Sequence, residues 1–408
     1  MKICGIISEY NPFHNGHLYH INKTKELTNC DAIVCVLSGN FVQRGMPAMI
    51  DKWTRAQLAL LNGVDLVLEL PTLYAVSSAE FFSFGAVSLL DSLGVIDSIS
   101  FGSELGNVDF LNEISRVLLS EPKDFFIPLK ENLAKGISYA LSRNNALENY
   151  FKNISKHSKD DLKDLSSILN SSNNILGIEY CKSILKLNSS ITPFTIKREG
   201  GDYNSSSLNN LFSSATSIRN KLKKLNSFKD LENAVPLNVI DALKNCTNYV
   251  YPDEMLPYIR HKAFSNPHSI EDIPEASEGL HNRILRVLED NDNYDRILNE
   301  IKSKRYSMTR ISRILCQLFI GFDNYDIKNL RKEPCPYGRV LGFNDTGREI
   351  LRNLKSTSSI PIYTKLPKAT NEVLNLDIQS TKAYSLLDSS ISPKDDFLKM
   401  PIILNNRY

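Results

Sequence analysis

Nothing in this 408-residue chain approaches the about 20 consecutive apolar residues that a membrane helix needs, so no helical span is expected. The opening MKICGIISEY is too short and too polar for a secretory leader. The chain is therefore expected to begin in its fold and to work in the cytoplasm, with no membrane partner. Cysteine is sparse: Cys4, Cys30, Cys35, Cys181, Cys246, Cys316 and Cys335 are seven in number, scattered, and never spaced CxxC. That pattern argues against a structural zinc site or a disulfide framework and for buried, reduced thiols. A surplus of charge is missing too. With 48 basic and 46 acidic residues the net charge is +2, so a nucleic-acid signal has to be local if it exists. No internal repeat is apparent.

What is present is alternation. KICGIIS reads as a buried strand, GHLYHINKTKELT as a helix and CDAIVCVLSG as a second buried strand. DKWTRAQLALLNG follows as a helix with Asp51 at its N-cap and Gly63 past its end, and VDLVLELP is a third strand stopped by Pro71. SSAEFFSFGAVSLLDSLG is a further helix and IDSISFGSE a further strand. This pitch predicts βαβ repetition and a doubly wound parallel sheet, an α/β fold. From about Asn107 to Ser172 the pattern turns helical and polar, as an insertion on the sheet edge would. SSITPFTIKREG adds a strand, and a helix follows through SSATSIRNKLKKL. Beyond about Phe228 strands become rare and amphipathic helices dominate. The length suits two domains, expected as residues 1–225 with an insertion at about 107–172, and a mainly α-helical domain over 226–408.

Residues 9–20 read EYNPFHNGHLYH, with histidines at 14, 17 and 20. A metal site is disfavoured: Pro12, Asn15 and Gly16 oppose a helix starting early enough to align all three, and only Glu9 and Asp31 are nearby carboxylates. No metal ligand set is therefore expected. A helix start with incidental histidines is the plain alternative. The third reading uses position, because ligands of such sheets bind beyond the carboxyl ends of strands. There Gly16 lets backbone approach a ligand, and the N–H groups around His17 and Leu18 favour an anion. Imidazoles can then stabilise charge that develops at an α-phosphate.

NPFHNGH resembles the HxGH signature of the nucleotidyltransferase superfamily, with His14 and His17 as its histidines. SSATSIR, residues 213–219, resembles that superfamily's ISSTxIR motif, in which hydroxyls cap a helix and an arginine pairs with the triphosphate. Together with SGNFVQRG, DKWTRAQLAL, SFGSE, NNILGIEY, KREG and DYN, and the later GLHNRI, KRYSMTRISRIL and YGRVLGF, these segments are similar, in order, to the bacterial tRNA(Met) cytidine acetate ligase family. The resemblance implies a Rossmann-like nucleotidyltransferase (HUP-type) sheet domain. It further implies activation of acetate by ATP as acetyl-adenylate, then acetylation of N4 of the wobble cytidine of elongator tRNA(Met), with AMP and pyrophosphate released. By the same resemblance His14, His17 and Arg219 are the expected catalytic residues, with Mg²⁺ on the phosphates. The expected ATP contacts are Ile7, Ser8, Glu9, Tyr10, Asn11, Pro12, Phe13, His14, Asn15, Gly16, His17, Leu18, Tyr19 and His20, with Gly102, Asn173 (favoured over Asn174), Arg198, Ser214, Thr216 and Arg219. Asn40, Gln43, Arg44, Lys52 and Arg55 follow the second strand on the ligand side. Arg44 or Lys52 could hold acetate or a tRNA phosphate, while Asp51 and Arg55 could equally form an i,i+4 pair.

Lys302, Lys304, Arg305, Arg310 and Arg313 surround Tyr306 with no acidic residue between them. Such a segment is the footprint of a face that tracks phosphates, and it is the expected tRNA-binding surface, which Arg283, Arg286, Arg339 and Arg348 could extend. The target base would have to leave its anticodon stack. Two rivals remain at this point: a small-molecule nucleotidyltransferase that adenylates a phosphorylated cofactor precursor, and a non-catalytic RNA-binding protein. No protein partner is implied.

Overall fold

The computed structural model describes residues 1–154, 165–198, 213–224 and 228–405. Most of SKHSKDDLKDLSS, and residues 199–212 with the DYN segment, lie outside the described residues. The sheet is built from β1 (Ile3–Ser8), β2 (Ala32–Ser38), β5 (Leu66–Leu70), β6 (Ser98–Ser103) and β7 (Thr192–Lys197), joined by β8 (Gly338–Phe343), β9 (Ile362–Tyr363) and β10 (Ile402–Ile403). β3 (Phe41–Val42) and β4 (Met46–Pro47) form a separate small hairpin. The order across the sheet is β10-β8-β5-β2-β1-β6-β7, with β9 beside β8. Connections run from β1 outward through β2 to β5 and, on the other side, through β6 to β7. The switch in direction falls between β1 and β6, where ligands of such folds sit.

β1, β2, β5, β6 and β7 pair in parallel, as expected from the sequence. β8 departs from that expectation. It lies antiparallel to β5, with Leu66 opposite Phe343, and its six residues are all buried. The expected division at residue 225 therefore does not separate the sheet from the rest of the chain, because residues 338–403 return to complete it. The stretch GRVLGF is apolar enough to be a central strand, but its partner lies over 270 residues away and leaves no local mark on it.

One buried group ties this return to the sheet. Lys52 Nζ lies 2.7 Å from Glu69 Oε1 and 2.9 Å from Asp396 Oδ1, and Arg339 Nη1 lies 2.8 Å from the same Asp396 oxygen. The side chains of Lys52, Glu69 and Asp396 have no exposed surface. Burial alone would raise the Asp396 carboxyl, but the two cations outweigh it and hold its pKa below the ordinary value.

Candidate active site

The first helix, Asn15–Thr28, begins in a capping box made of histidines. His14 is the N-cap: its Nδ1 accepts from the Gly16 N–H at 3.1 Å, while His17 Nδ1 accepts from the His14 N–H at 3.2 Å. The three-residue spacing of HNGH is thus the spacing of a cap and its reciprocal partner. Gly16 suits this cap because a Cβ there would sit 3.0 Å from the His14 ring and press on it. The two rings stack with centroids 3.7 Å apart. Since each Nδ1 accepts a backbone proton, each neutral ring carries its own proton on Nε2. Burial first, and Arg198 and Arg219 second, push the His14 pKa down to about 3. His17 is likewise held well below its ordinary value, by burial and then by His14 and Arg198. These are neutral donors held in fixed directions, not cations.

Behind them lies a cavity of about 230 Å³ at the carboxyl ends of β1 and β6. Of the expected ATP contacts, Ile7, Ser8, Glu9, Tyr10, Asn11, His14, Gly16, His17, Tyr19, His20, Gly102, Asn173, Arg198, Ser214 and Arg219 are on its wall. Others are not. Phe13 is fully buried in the core, and Leu18 packs against it. Asn15 is spent on the 233–234 segment, donating from Nδ2 to the Asn233 carbonyl at 2.9 Å and from its backbone to the Ala234 carbonyl at 3.0 Å. Pro12 is not on the wall, and Thr216 Oγ1 accepts from Arg219 Nη2 at 3.1 Å instead of facing the cavity.

The SSATSIR turn enters from the opposite side. Ser214 caps the helix Ala215–Lys223, its hydroxyl accepting from the Ser217 N–H at 3.1 Å. One turn on, Arg219 Nη1 donates to the Asn11 carbonyl at 2.7 Å. Two turns some 200 residues apart are thereby joined at one cavity. Asn173 and Asn174 separate cleanly. Asn174 is buried, with Oδ1 accepting from the Leu105 N–H at 3.0 Å and Nδ2 donating to the Ile168 carbonyl at 3.2 Å, while Asn173 is on the wall. Glu104 caps this helix start, accepting from Asn173 Nδ2 at 2.7 Å and the Asn174 N–H at 2.8 Å.

Sequence reasoning missed part of the wall: Phe82, Phe101, Leu176, Tyr180, Val42 and Met46 line it too. A signal existed for two of them, since Asn173, Leu176 and Tyr180 fall at i, i+3 and i+7 on one helix face. Lys52 and Arg55, named as candidates, serve the scaffold. Lys52 is locked to Glu69 and Asp396, and the fully buried Arg55 donates to the carbonyls of Glu9, Ser38, Gly39 and Ile50. Asp51 caps its helix rather than pairing with Arg55. Arg44 does line the cavity.

The basic segment divides. Lys302, Lys304 and Arg305 are exposed, in the turn between helices Tyr294–Ile301 and Met308–Ile320. Arg305 pairs with Glu278 at 3.1 Å, and Arg310 donates to the Glu275 carbonyl at 2.9 Å. Arg313 is largely buried against Glu275 at 2.6 Å, Tyr306 is buried with its hydroxyl on the Glu278 carbonyl, and Arg339 belongs to the ion group under the sheet. The β3–β4 hairpin links this segment to the cavity. Gly45, at φ +75°, lies so close that a Cβ would come within 2.3 Å of the Arg313 nitrogen, and Ser312 Oγ donates to its carbonyl at 2.8 Å. The flanking Val42, Gln43, Arg44 and Met46 are cavity wall. Among the described residues no group of three or more His, Cys, Asp or Glu could hold a metal ion.

A parallel sheet with a histidine-capped turn and a Ser/Thr-Arg turn at its switch point defines a nucleotidyltransferase of the HxGH class. The family model "HIGH Nucleotidyl Transferase" matches residues 1–396. Among curated relatives, the tRNA(Met) cytidine acetate ligase of Clostridium novyi is 53% identical over 407 residues, covering 99% of this chain and 100% of that one. That of Clostridium botulinum (strain Kyoto / Type A2) is 53% identical over 410 residues, covering 100% and 99%. Crystal structures of Thermotoga maritima TmcAL, bound with alpha-thio ATP and apo, are 34% identical with TM-scores of 0.89 and 0.91, covering 100% of both chains. The chain belongs to the tRNA(Met) cytidine acetate ligase family of HIGH nucleotidyltransferases.

Proposed function

We propose that this protein is an ATP-dependent ligase that acetylates N4 of the wobble cytidine of elongator tRNA(Met), through acetyl-adenylate, in the cytoplasm. The chemistry asks for two anions to meet. An acetate oxygen attacks the α-phosphorus, the bond to the bridging oxygen breaks, and pyrophosphate leaves. The cytidine amine then attacks the acetyl carbon, AMP leaves with the bonding pair, and the amine proton is released. Arg198, Arg219 and the Ser214 helix start suit the phosphates. His14 and His17, neutral and fixed through Nδ1, present Nε2 donors that need no reorganisation as charge grows on the transferring phosphoryl group. Magnesium brought with ATP would be held by the phosphates themselves, and no step here depends on a protein-held ion.

The Arg219–Asn11 contact carries this reading, because it gives the two phosphate-type turns a single cavity. The tRNA would lie across exposed Lys302, Lys304 and Arg305 and half-buried Arg310, next to the hairpin that walls the cavity. The test incubates labelled acetate, ATP and tRNA(Met) with the protein. Acetyl label in the tRNA with equimolar AMP and pyrophosphate is expected. Unlabelled tRNA with a dinucleotide-type product would favour a small-molecule nucleotidyltransferase, and unconsumed ATP a non-catalytic RNA binder; either contradicts the proposal.

A further inference from the structure

Two of the polar groups of Asn11 are engaged and a third is not. Its backbone carbonyl accepts from Arg219 at 2.7 Å, and its Oδ1 accepts from the Met49 N–H at 2.8 Å, which fixes which end of the amide is oxygen. The other end, Nδ2, is buried without a hydrogen-bond partner among the described residues, although the side chain is only 3% exposed and lines the cavity. A buried amide with two protons and nothing to accept them is costly and uncommon. It persists where a ligand supplies the acceptor.

The cavity tells which ligand. Gly102 and Arg198 follow β6 and β7, with Asn173 on the same wall; His14 and His17 follow β1, the strand between β2 and β6, and Arg219 reaches the Asn11 carbonyl there. On the β2 side the hairpin adds Val42 and Met46, two apolar side chains, beside Arg44. Base and triphosphate suit the first two regions. The third joins an amide donor and a cation to a small apolar wall, which is the chemistry of a short aliphatic carboxylate.

We infer that Asn11 Nδ2 is the carboxylate anchor of the acetate subsite, with the methyl group against Val42 and Met46. This rests on the ligase reading above. Asn11 is here a substrate-binding residue that sets which acid is activated, distinct from the histidines that serve the phosphoryl group.

The test compares wild type with Asn11→Asp and Met46→Ala. Asn11→Asp keeps an oxygen for the Met49 N–H and replaces the unpartnered donor with an anionic acceptor that repels a carboxylate. Acetate-dependent exchange of pyrophosphate into ATP gives the acetate KM, and titration calorimetry with α,β-methylene-ATP gives nucleotide affinity and reports an intact fold. Asn11→Asp is expected to raise the acetate KM about 10- to 100-fold, with nucleotide affinity changed less than about threefold. Met46→Ala is expected to raise the propionate-to-acetate ratio of kcat/KM about tenfold. An unchanged acetate KM, or a parallel loss of acetate and nucleotide binding, overturns the assignment of Nδ2, and an unchanged acid preference overturns the placement of the methyl. Absence of acetate-dependent exchange in wild type overturns the ligase reading and this subsite with it, whereas the other outcomes overturn the subsite alone.

Discussion

Two regions of this molecule bury polar groups in opposite ways. Beneath the sheet, Lys52, Arg339, Glu69 and Asp396 set charge against charge within 2.7–3.3 Å. At the switch point, His14 and Asn11 are buried and His17 half-buried, yet among the described residues their outward donors are not spent on the protein: each imidazole uses only Nδ1, and the Asn11 amide only Oδ1. The first region exchanges side-chain freedom for a fixed fold and joins residues 339 and 396 to the sheet. The second keeps hydrogen-bonding capacity for something that is not protein. A cation after a strand is therefore no sufficient sign of a ligand site; what distinguishes the two regions is whether partners are already supplied.

Lys52→Met attacks the first region and should have the largest effect, a loss of about 3–5 kcal/mol, because two carboxylates then share one cation in a buried setting. Urea denaturation checks it, and the contrast breaks if stability is unmoved while ATP–pyrophosphate exchange disappears. His17→Ala is the mirror experiment. Acetyl-adenylate formation should fall about 10²- to 10³-fold. Stability should drop by about 1 kcal/mol at most, the worth of a cap bond, and tRNA affinity in a filter-binding assay should stay within about twofold.

A milder effect is expected at the basic turn. Arg305→Ala with Arg310→Ala should weaken tRNA binding and lower the slope of log affinity against log salt by about 1 for each phosphate that is no longer neutralised. Arg313→Ala should change that slope little and stability more, since Arg313 is committed to Glu275. Equal slopes in both variants would dissolve that distinction. The smallest effect concerns pH. The His14 pKa lies at about 3 in the folded chain against an ordinary 6.5, so the unfolded chain binds the extra proton first. Its share of stability is fully present above 6.5 and is lost as pH falls from there toward 3, roughly 2 kcal/mol by pH 5. Denaturation midpoints at pH 7 and pH 5, in wild type and in His14→Asn, measure it; a midpoint that rises on acidification contradicts the burial account.

Much of this was legible in the residues. β1, β2, β5, β6 and β7 announced themselves as short apolar runs between helices, while the β3–β4 hairpin did not, and HNGH and SSATSIR marked the two turns. β8 was not legible, because antiparallel pairing with a strand over 270 residues away is a property of the fold and not of GRVLGF. The buried ion group left half a trace: Glu69 is a lone carboxylate inside LVLEL, which demands a cation, but the chain does not say that Lys52 supplies it. Asn11 sat within the expected segment, yet only the geometry shows that one end of its amide is engaged and the other is not.

A crystal structure of this protein with α,β-methylene-ATP decides whether the two turns serve one nucleotide. The α-phosphate should lie within hydrogen-bond reach of His17 Nε2, with Arg219 on the same triphosphate. Phosphates bound elsewhere, with the two histidines facing only water, would contradict it.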